Sequence, residues 1–378
     1  MNQAIDSASE DITPWDRSTF EKLIAVDLTP YQIQRITTPV NRFEKEQAVL
    51  AIHWHPENVP MELVRKRFGI MYPHLNEYLV IPTQHNEILT YGDYAGAEVD
   101  CRASAFNRKV QILIHFEKSR IASATKLQKM IDHTGRYRAG QFRDLLNSFT
   151  DLHLHKRLEE AAIKTGVEID IVRFACIQAG KLQTLIKVYS DTDSIPEISL
   201  KNKLLINYLN CQKEHYDAHT IDRVVIFALA VKEVVKRRFP LDYFYEVEDV
   251  IAEVRGLGGC VAIPHPEQFW PILLADYDVD GYEVWNPQSR EFTEFLIQTV
   301  TRKNQSPAAS KRPLLIFMGD DTHLSEKLLD EQAQNPDKAA REIGYQPAWN
   351  DPAIRKALDS MGIDKQKIIR DYKSRLKG

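Results

Sequence analysis

Short apolar runs separated by polar clusters dominate the first third of the chain. Gln47–His53 (QAVLAIH), Tyr78–Pro82 (YLVIP), Gly96–Cys101 (GAEVDC) and Lys109–Phe116 (KVQILIHF) read as strands. Pro60–Phe68 reads as one or two helical turns, with the proline at the start, where its missing N–H is harmless. Between residues 120 and 255 the apolar positions switch to helical spacing, clearest in Arg143–Thr165, Leu200–Gln212 and Ile221–Lys236. The polar stretch Ser190–Ser199, with Pro196 inside it, reads as a connector between two helical groups. A further helix, Asp249–Gly256, stops at Gly258-Gly259. Strands then return at Cys260–Pro264, Gly281–Trp285 and Pro313–Met318, with a helix at Phe292–Thr301 between the last two. Strand alternating with helix predicts a parallel α/β sheet or barrel. The expected division is an N-terminal extension over 1–46, a barrel from 47–120 and 246–330, a helical insertion over 121–245 and a C-terminal helical segment over 331–378.

Composition narrows the classes. With 43% hydrophobic and 27% charged residues among 378, wholesale disorder is excluded. A net charge of −4 argues against a surface that coats nucleic acid. The cysteines Cys101, Cys176, Cys211 and Cys260 are far apart and form no C-x-x-C pair, which sets aside a disulfide scaffold and a cysteine zinc site. The N-terminus has neither a basic region nor an apolar core, and no apolar run approaches the roughly 18–20 residues of a membrane span. The expected location is therefore cytoplasmic, with no membrane partner.

Several strand candidates run into His, Asp or Glu: His53-Trp54-His55, Gln84-His85, Glu98, His115, His265-Pro266 and Asp321-Thr322-His323. In parallel α/β folds the functional face lies at the carboxyl ends of the strands. Imidazoles and carboxylates gathered there suit divalent ions. In a strand, residues i and i+2 share a face, so His53 and His55 can reach one ion, as can Asp321 and His323. On a helix that spacing splays two side chains by about 200°. His153 and His155 fall in such a helical run and are read as helix surface and packing.

The order His53-x-His55, Thr83-Gln84-His85-Asn86, Gly96-Ala97-Glu98, Gly258-Gly259…Pro264-His265-Pro266, Gly281-Tyr282-Glu283…Asn286 and Gly319-Asp320-Asp321-Thr322-His323 resembles the PHP (polymerase and histidinol phosphatase) superfamily, and most closely its bacterial stand-alone phosphoesterases. The resemblance covers residues 47–118 and 246–325. It implies a distorted (β/α)7 TIM-like barrel with an α-helical insertion. It also implies hydrolysis of phosphate esters by a metal-bound hydroxide. The implied ligands are His53, His55, His85, Glu98, His115, His265, Asp321 and His323, with His265 or His323 protonating the leaving oxygen and Glu98 bridging the ions. Two divalent ions (zinc, manganese or iron) are expected, one or three being the alternatives. The expected substrate is a small phosphate ester, nucleotide or short oligonucleotide, and Arg102 is a candidate contact for its phosphate.

Three positions depart from the family pattern: Ala51 and Gln84 stand where it carries aspartates, and Gln111 where it carries a histidine. The alternatives are a catalytically degenerate binding or regulatory protein and an amidohydrolase. Glu283 is expected to be structural, and Glu87 competes with Glu98 as the carboxylate.

Overall fold

The computed structural model describes residues 5–191, 194–306, 312–331 and 334–378. Residues 1–4 of the N-terminal segment and 192–193 of the connector lie outside the described residues. The chain divides into two compact units, Met1–Asp27 with Arg136–Pro240 and Leu28–Gly135 with Leu241–Gly378.

The first unit is helical, with helices at Pro14–Ile24, Tyr137–Thr150, Lys156–Thr165, Ile169–Ser190, Asn202–Cys211 and Ala218–Arg238. Local signals start them. Thr13 and Asp16 form a reciprocal capping box ahead of Pro14, and the Asp217 side chain accepts from Thr220 N. Their apolar stripes meet in a core that includes Phe20, Phe142, Phe149, Phe174, Leu182, Leu205 and Phe227. The run expected as one helix over 143–165 breaks at Asp151, whose side chain accepts from His153 N at 2.9 Å. His153 therefore sits exposed on a short 3-10 turn. Inside this unit Asp16 is buried and accepts from Tyr208 Oη at 2.6 Å and Lys181 Nζ at 3.1 Å.

The second unit carries the strands β1 (Ala48–Ala51), β2 (Trp54–His55), β3 (Glu77–Val80), β4 (Leu89–Tyr91), β5 (Tyr94–Ala103), β6 (Arg108–Glu117), β7 (Cys260–Ile263), β8 (Gly281–Trp285), β9 (Leu315–Met318) and β10 (Thr322–His323). A six-stranded sheet runs β4-β5-β6-β7-β8-β9. From β4 to β7 neighbours are antiparallel, and β7, β8 and β9 are parallel. The expected strand–helix alternation thus holds for the last three strands, while Gly96–Cys101 and Lys109–Phe116 are the centres of one long hairpin. Two parallel pairs, β1 with β3 and β2 with β10, complete the strand pairing. The segment after β3 bonds to the middle of β5, with Asn86 N donating to Glu98 O at 2.7 Å and Glu98 N to Gln84 O at 3.1 Å. Alternation is lost in β1, β7, β8 and β9, every residue of which is buried, as for strands covered on both faces.

The C-terminal helix Lys365–Lys377 buries Ile368, Ile369, Tyr372 and Leu376 in the same core as β6 and β9. Residues 135 and 241 are the points at which the chain leaves and rejoins this unit. Close to them His133 Nε2 lies 2.9 Å from Tyr243 O, Tyr243 Oη donates to His133 O at 2.7 Å, and the two rings stack. No helix among the described residues is long and apolar enough to cross a membrane.

Candidate metal centre

The centre is assembled at the carboxyl ends of β1, β3, β7 and β9, with Glu98 reaching in from the middle of β5. His53 and His55 follow β1, and both are buried. Their rings lie 5.4 Å apart, so both imidazoles reach one centre across the bend between β1 and β2. Asp321 N donates to His53 O at 2.9 Å, which brings the post-β9 turn against the post-β1 turn. His265 and Asp321 have φ of 27° and 46°, left-handed conformations that the surrounding bonds hold in place.

Glu98 is the hub. Its Oε1 faces His265 Nε2 at 3.4 Å and His53 Nε2 at 3.9 Å. Its Oε2 faces His55 Nε2 at 3.8 Å and contacts His85 Nδ1. Asp321 Oδ1 lies 3.3 Å from His323 Nε2, 3.5 Å from His55 Nε2 and 3.7 Å from His53 Nε2. The rings of His85 and His323 each lie nearly parallel to that of His55, with centroids at 4.3 and 4.2 Å from it, and 5.8 Å from one another. Two trios, His53–His55–Glu98 and His55–His85–His323, bring ligand atoms within 4.8 Å of one another.

A metal is tested by what these atoms do without one. His53 Nε2, both nitrogens of His55, both oxygens of Glu98 and His265 Nδ1 are buried with no hydrogen-bond partner among the described residues. Orphaned polar atoms in an interior are costly, and here they converge. The separations of 3.7 to 3.9 Å from His53 and His55 to Glu98 and from His53 to Asp321 are too long for hydrogen bonds and leave room between donors. Imidazole and carboxylate together suit zinc, manganese or iron, so the residues fit divalent ions.

The electrostatics follow from burial and from crossing charges. Burial alone would depress His53, but Glu283, Asp321 and Glu98 outweigh it and push it up to about 10. His55 is pushed down to about 3 by burial and by the neighbouring His85 and His323. Burial opposes ionisation of Glu98 and Asp321, yet the surrounding imidazoles hold both carboxyls well below the usual carboxylate range. His323 resists the lowering effect of burial and rises to about 9 through Asp321 and Glu57. Burial raises Asp320 to about 7. Protons and cations would therefore compete for the same imidazoles.

Two carboxylates orient imidazoles from behind. Glu283 Oε2 accepts from His53 Nδ1 at 2.9 Å and from His265 N at 3.1 Å, while Asn286 Nδ2 donates to Oε1 at 3.0 Å. Its expected structural role is this orienting one. Glu57 does the same for His323, with Oε1 at 3.4 Å from Nδ1 and Oε2 accepting from Ser325 N. Glu57 escaped the sequence reading, although 53, 55 and 57 share parity; Pro56 and a φ of 53° hide the relationship.

Seven of the eight expected ligands meet: His53, His55, His85, Glu98, His265, Asp321 and His323. His115 does not join them. Its Nδ1 is 2.7 Å from Tyr372 Oη and its Nε2 is 3.1 Å from Ile52 O, so neither nitrogen is open. Antiparallel pairing sets His115 opposite Cys260, the first residue of β7, whereas His265 follows the last. Gln111, opposite Asp100, is two positions along β6 from Leu113, the residue opposite Glu98. Gln84 Oε1 accepts from Glu57 N at 3.1 Å instead of facing the ligands. Arg102 does not reach the centre either, because its Nε pairs with Glu246 at 3.4 Å four residues along β5 from Glu98. A cavity of about 340 Å³ beside Arg255, Asp280 and Arg375 lies before β7 and β8 and so at the opposite end from the ligands.

No family model matches the chain, and no curated protein matches it. One solved structure similar to it is the crystal structure of a protein from Bifidobacterium adolescentis provisionally named a metal-dependent phosphoesterase, with 17% identity, coverage of 83% of this chain and 96% of that one, and a TM-score of 0.38.

Proposed function

We propose that the protein is a metal-dependent phosphoesterase acting on a small phosphate ester, nucleotide or short oligonucleotide, and that its second unit is a distorted (β/α)7 barrel of the PHP type. The observation that carries the metal reading is the convergence of buried, unpartnered imidazole and carboxylate atoms on Glu98. The barrel reading is supported by the ladder β9-β8-β7-β6-β5, the bridge from β5 to His85 after β3, the pairing of β3 with β1, and the separate pairing of β2 with β10, the short strands that follow β1 and β9 in the chain. The phosphoesterase reading is supported by the order of the motifs along the sequence.

His53 and His265 beside Glu98 Oε1, and His55 and His85 beside Glu98 Oε2, would hold two ions, with Asp321 Oδ1 completing the set. Divalent ions held there would supply Lewis acidity, lowering the pKa of water and offsetting charge on phosphoryl oxygens. His53, held by Glu283, is fixed as an acceptor toward the centre. His323 is the imidazole placed to hand a proton to a leaving oxygen, because its side chain is 23% exposed while those of His53 and His55 are at most 1% exposed. His265, facing Glu98, is assigned to holding an ion.

Elemental analysis of protein purified without chelator, with turnover measured across a phosphoester panel, tests this reading. Bound metal and turnover, both lost in His53→Ala, are expected. Metal with no turnover on any ester would select a degenerate binding protein, in keeping with Ala51 and the occupied Gln84. Absence of metal from wild type would remove the hydrolase reading altogether.

A further inference from the structure

A segment far beyond the last motif places a fixed cation on one of the proposed ligands. Arg341 is 8% exposed, and its Nη1 donates to Asp321 Oδ2 at 2.8 Å and to Asp321 O at 3.0 Å. Gln288 Nε2 donates to the same Oδ2 at 2.5 Å. Oδ2 is thus taken by two donors, while Oδ1 faces His53, His55 and His323. The segment is anchored on every side. Glu342 pairs with Arg67 at 2.6 Å and Lys327 at 3.0 Å. Gly344 N donates to Asp320 Oδ2 at 2.8 Å, and Gln346 Nε2 to Leu50 O at 2.8 Å. Gly344 has a φ of 78°, and a Cβ there would lie 2.3 Å from Val49 Cγ1 and 3.6 Å from the Ala51 Cβ. The space beside Ala51 is therefore filled by this backbone.

We propose that Arg341 is a positioning residue of the centre: it holds Asp321 to single-oxygen ligation and occupies with its own charge the place of a further cation, so that the chain takes two ions and not three. This rests on the metal-centre reading above. A carboxylate bridges two ions with one oxygen on each only when both oxygens are open, and a like charge at hydrogen-bond distance disfavours another cation. Glu98, whose two oxygens face only imidazoles proposed as ligands, keeps that bridging capacity; Asp321 does not.

The test is the count of metal per chain after dialysis of the full-length protein against zinc or manganese, with circular dichroism as the control for folding. Wild type and R341K are expected to saturate at two equivalents, and R341M, which removes the charge and leaves only the neutral Gln288 amide on Oδ2, at three. Should R341M fail to fold, R341Q replaces it with the same expectation. A wild type that saturates at three, or a folded R341M or R341Q that stops at two, overturns the proposal and leaves the metal-centre reading standing. A wild type that takes up no metal overturns both.

Discussion

Gly319 shows how tightly the orienting carboxylate is held. A Cβ on this residue would sit 1.7 Å from Glu283 Oε1, so Gly319→Ala must displace the group that fixes His53. Losing such a partner typically weakens metal affinity about 10–100-fold. Zinc titration of Gly319→Ala is expected to fall in that range while the thermal transition stays cooperative. At this scale the histidines were legible because strand parity and the H-P and D-x-H spacings survive in one dimension. Arg341 was not: it lies 20 positions beyond Asp321 in a charged stretch that reads as ordinary helix surface. His115 was misplaced for a related reason. Its parity was right, but parity says nothing about strand direction, and only the hairpin shows that it points toward Tyr372.

Elements carry their own tests. His115 is buried, and that burial pushes it from 6.5 down to about 3. The folded chain then keeps it neutral while the unfolded chain protonates it below about pH 6.5. Stability from this group is complete above that pH and declines as the pH falls toward 3, by about 1.4 kcal/mol per pH unit. Denaturant midpoints between pH 7 and 5 should therefore fall more steeply in wild type than in His115→Gln, and parallel curves would refute the assignment. In the helical unit, Asp16→Ala leaves Lys181 buried without its carboxylate and removes the acceptor of Tyr208. Breaking a buried pair costs about 3–5 kcal/mol, which a urea titration would resolve. The strand runs and the long helices were legible from period alone. The break at Asp151 was not, because the apolar spacing carries on across it while the capping bond ends the helix. The pairing of β5 with β6 was also hidden, since a sequence shows that two strands are adjacent but not that Asn107 turns the chain back with a φ of 50°.

For the whole molecule, ligands that meet only in the folded state tie metal binding to stability. Saturating zinc at about 100 times its dissociation constant adds about 2.7 kcal/mol. Dialysis against chelator is expected to lower the midpoint of the transition reported by Trp54 and Trp285, which sit in the strand-bearing unit, and leave the helical unit's transition in place. Equal shifts in both would argue that unfolding of the units is coupled. The division into two units was only partly legible. Residues 136–240 fall within the expected helical insertion, but the helix Pro14–Ile24 belongs with them, and the helix Thr125–Gly135 packs with the strands.

The reciprocal bonds between His133 and Tyr243 have a practical corollary. They fasten the polypeptide to itself two residues on either side of the detour through Arg136–Pro240. A shortcut of a few glycines and serines from Gly135 to Leu241, in a chain beginning at Leu28, would then close a short loop at small entropic expense. Such a miniature should still capture zinc, and the excised portion could be exchanged for an unrelated domain without rebuilding the centre.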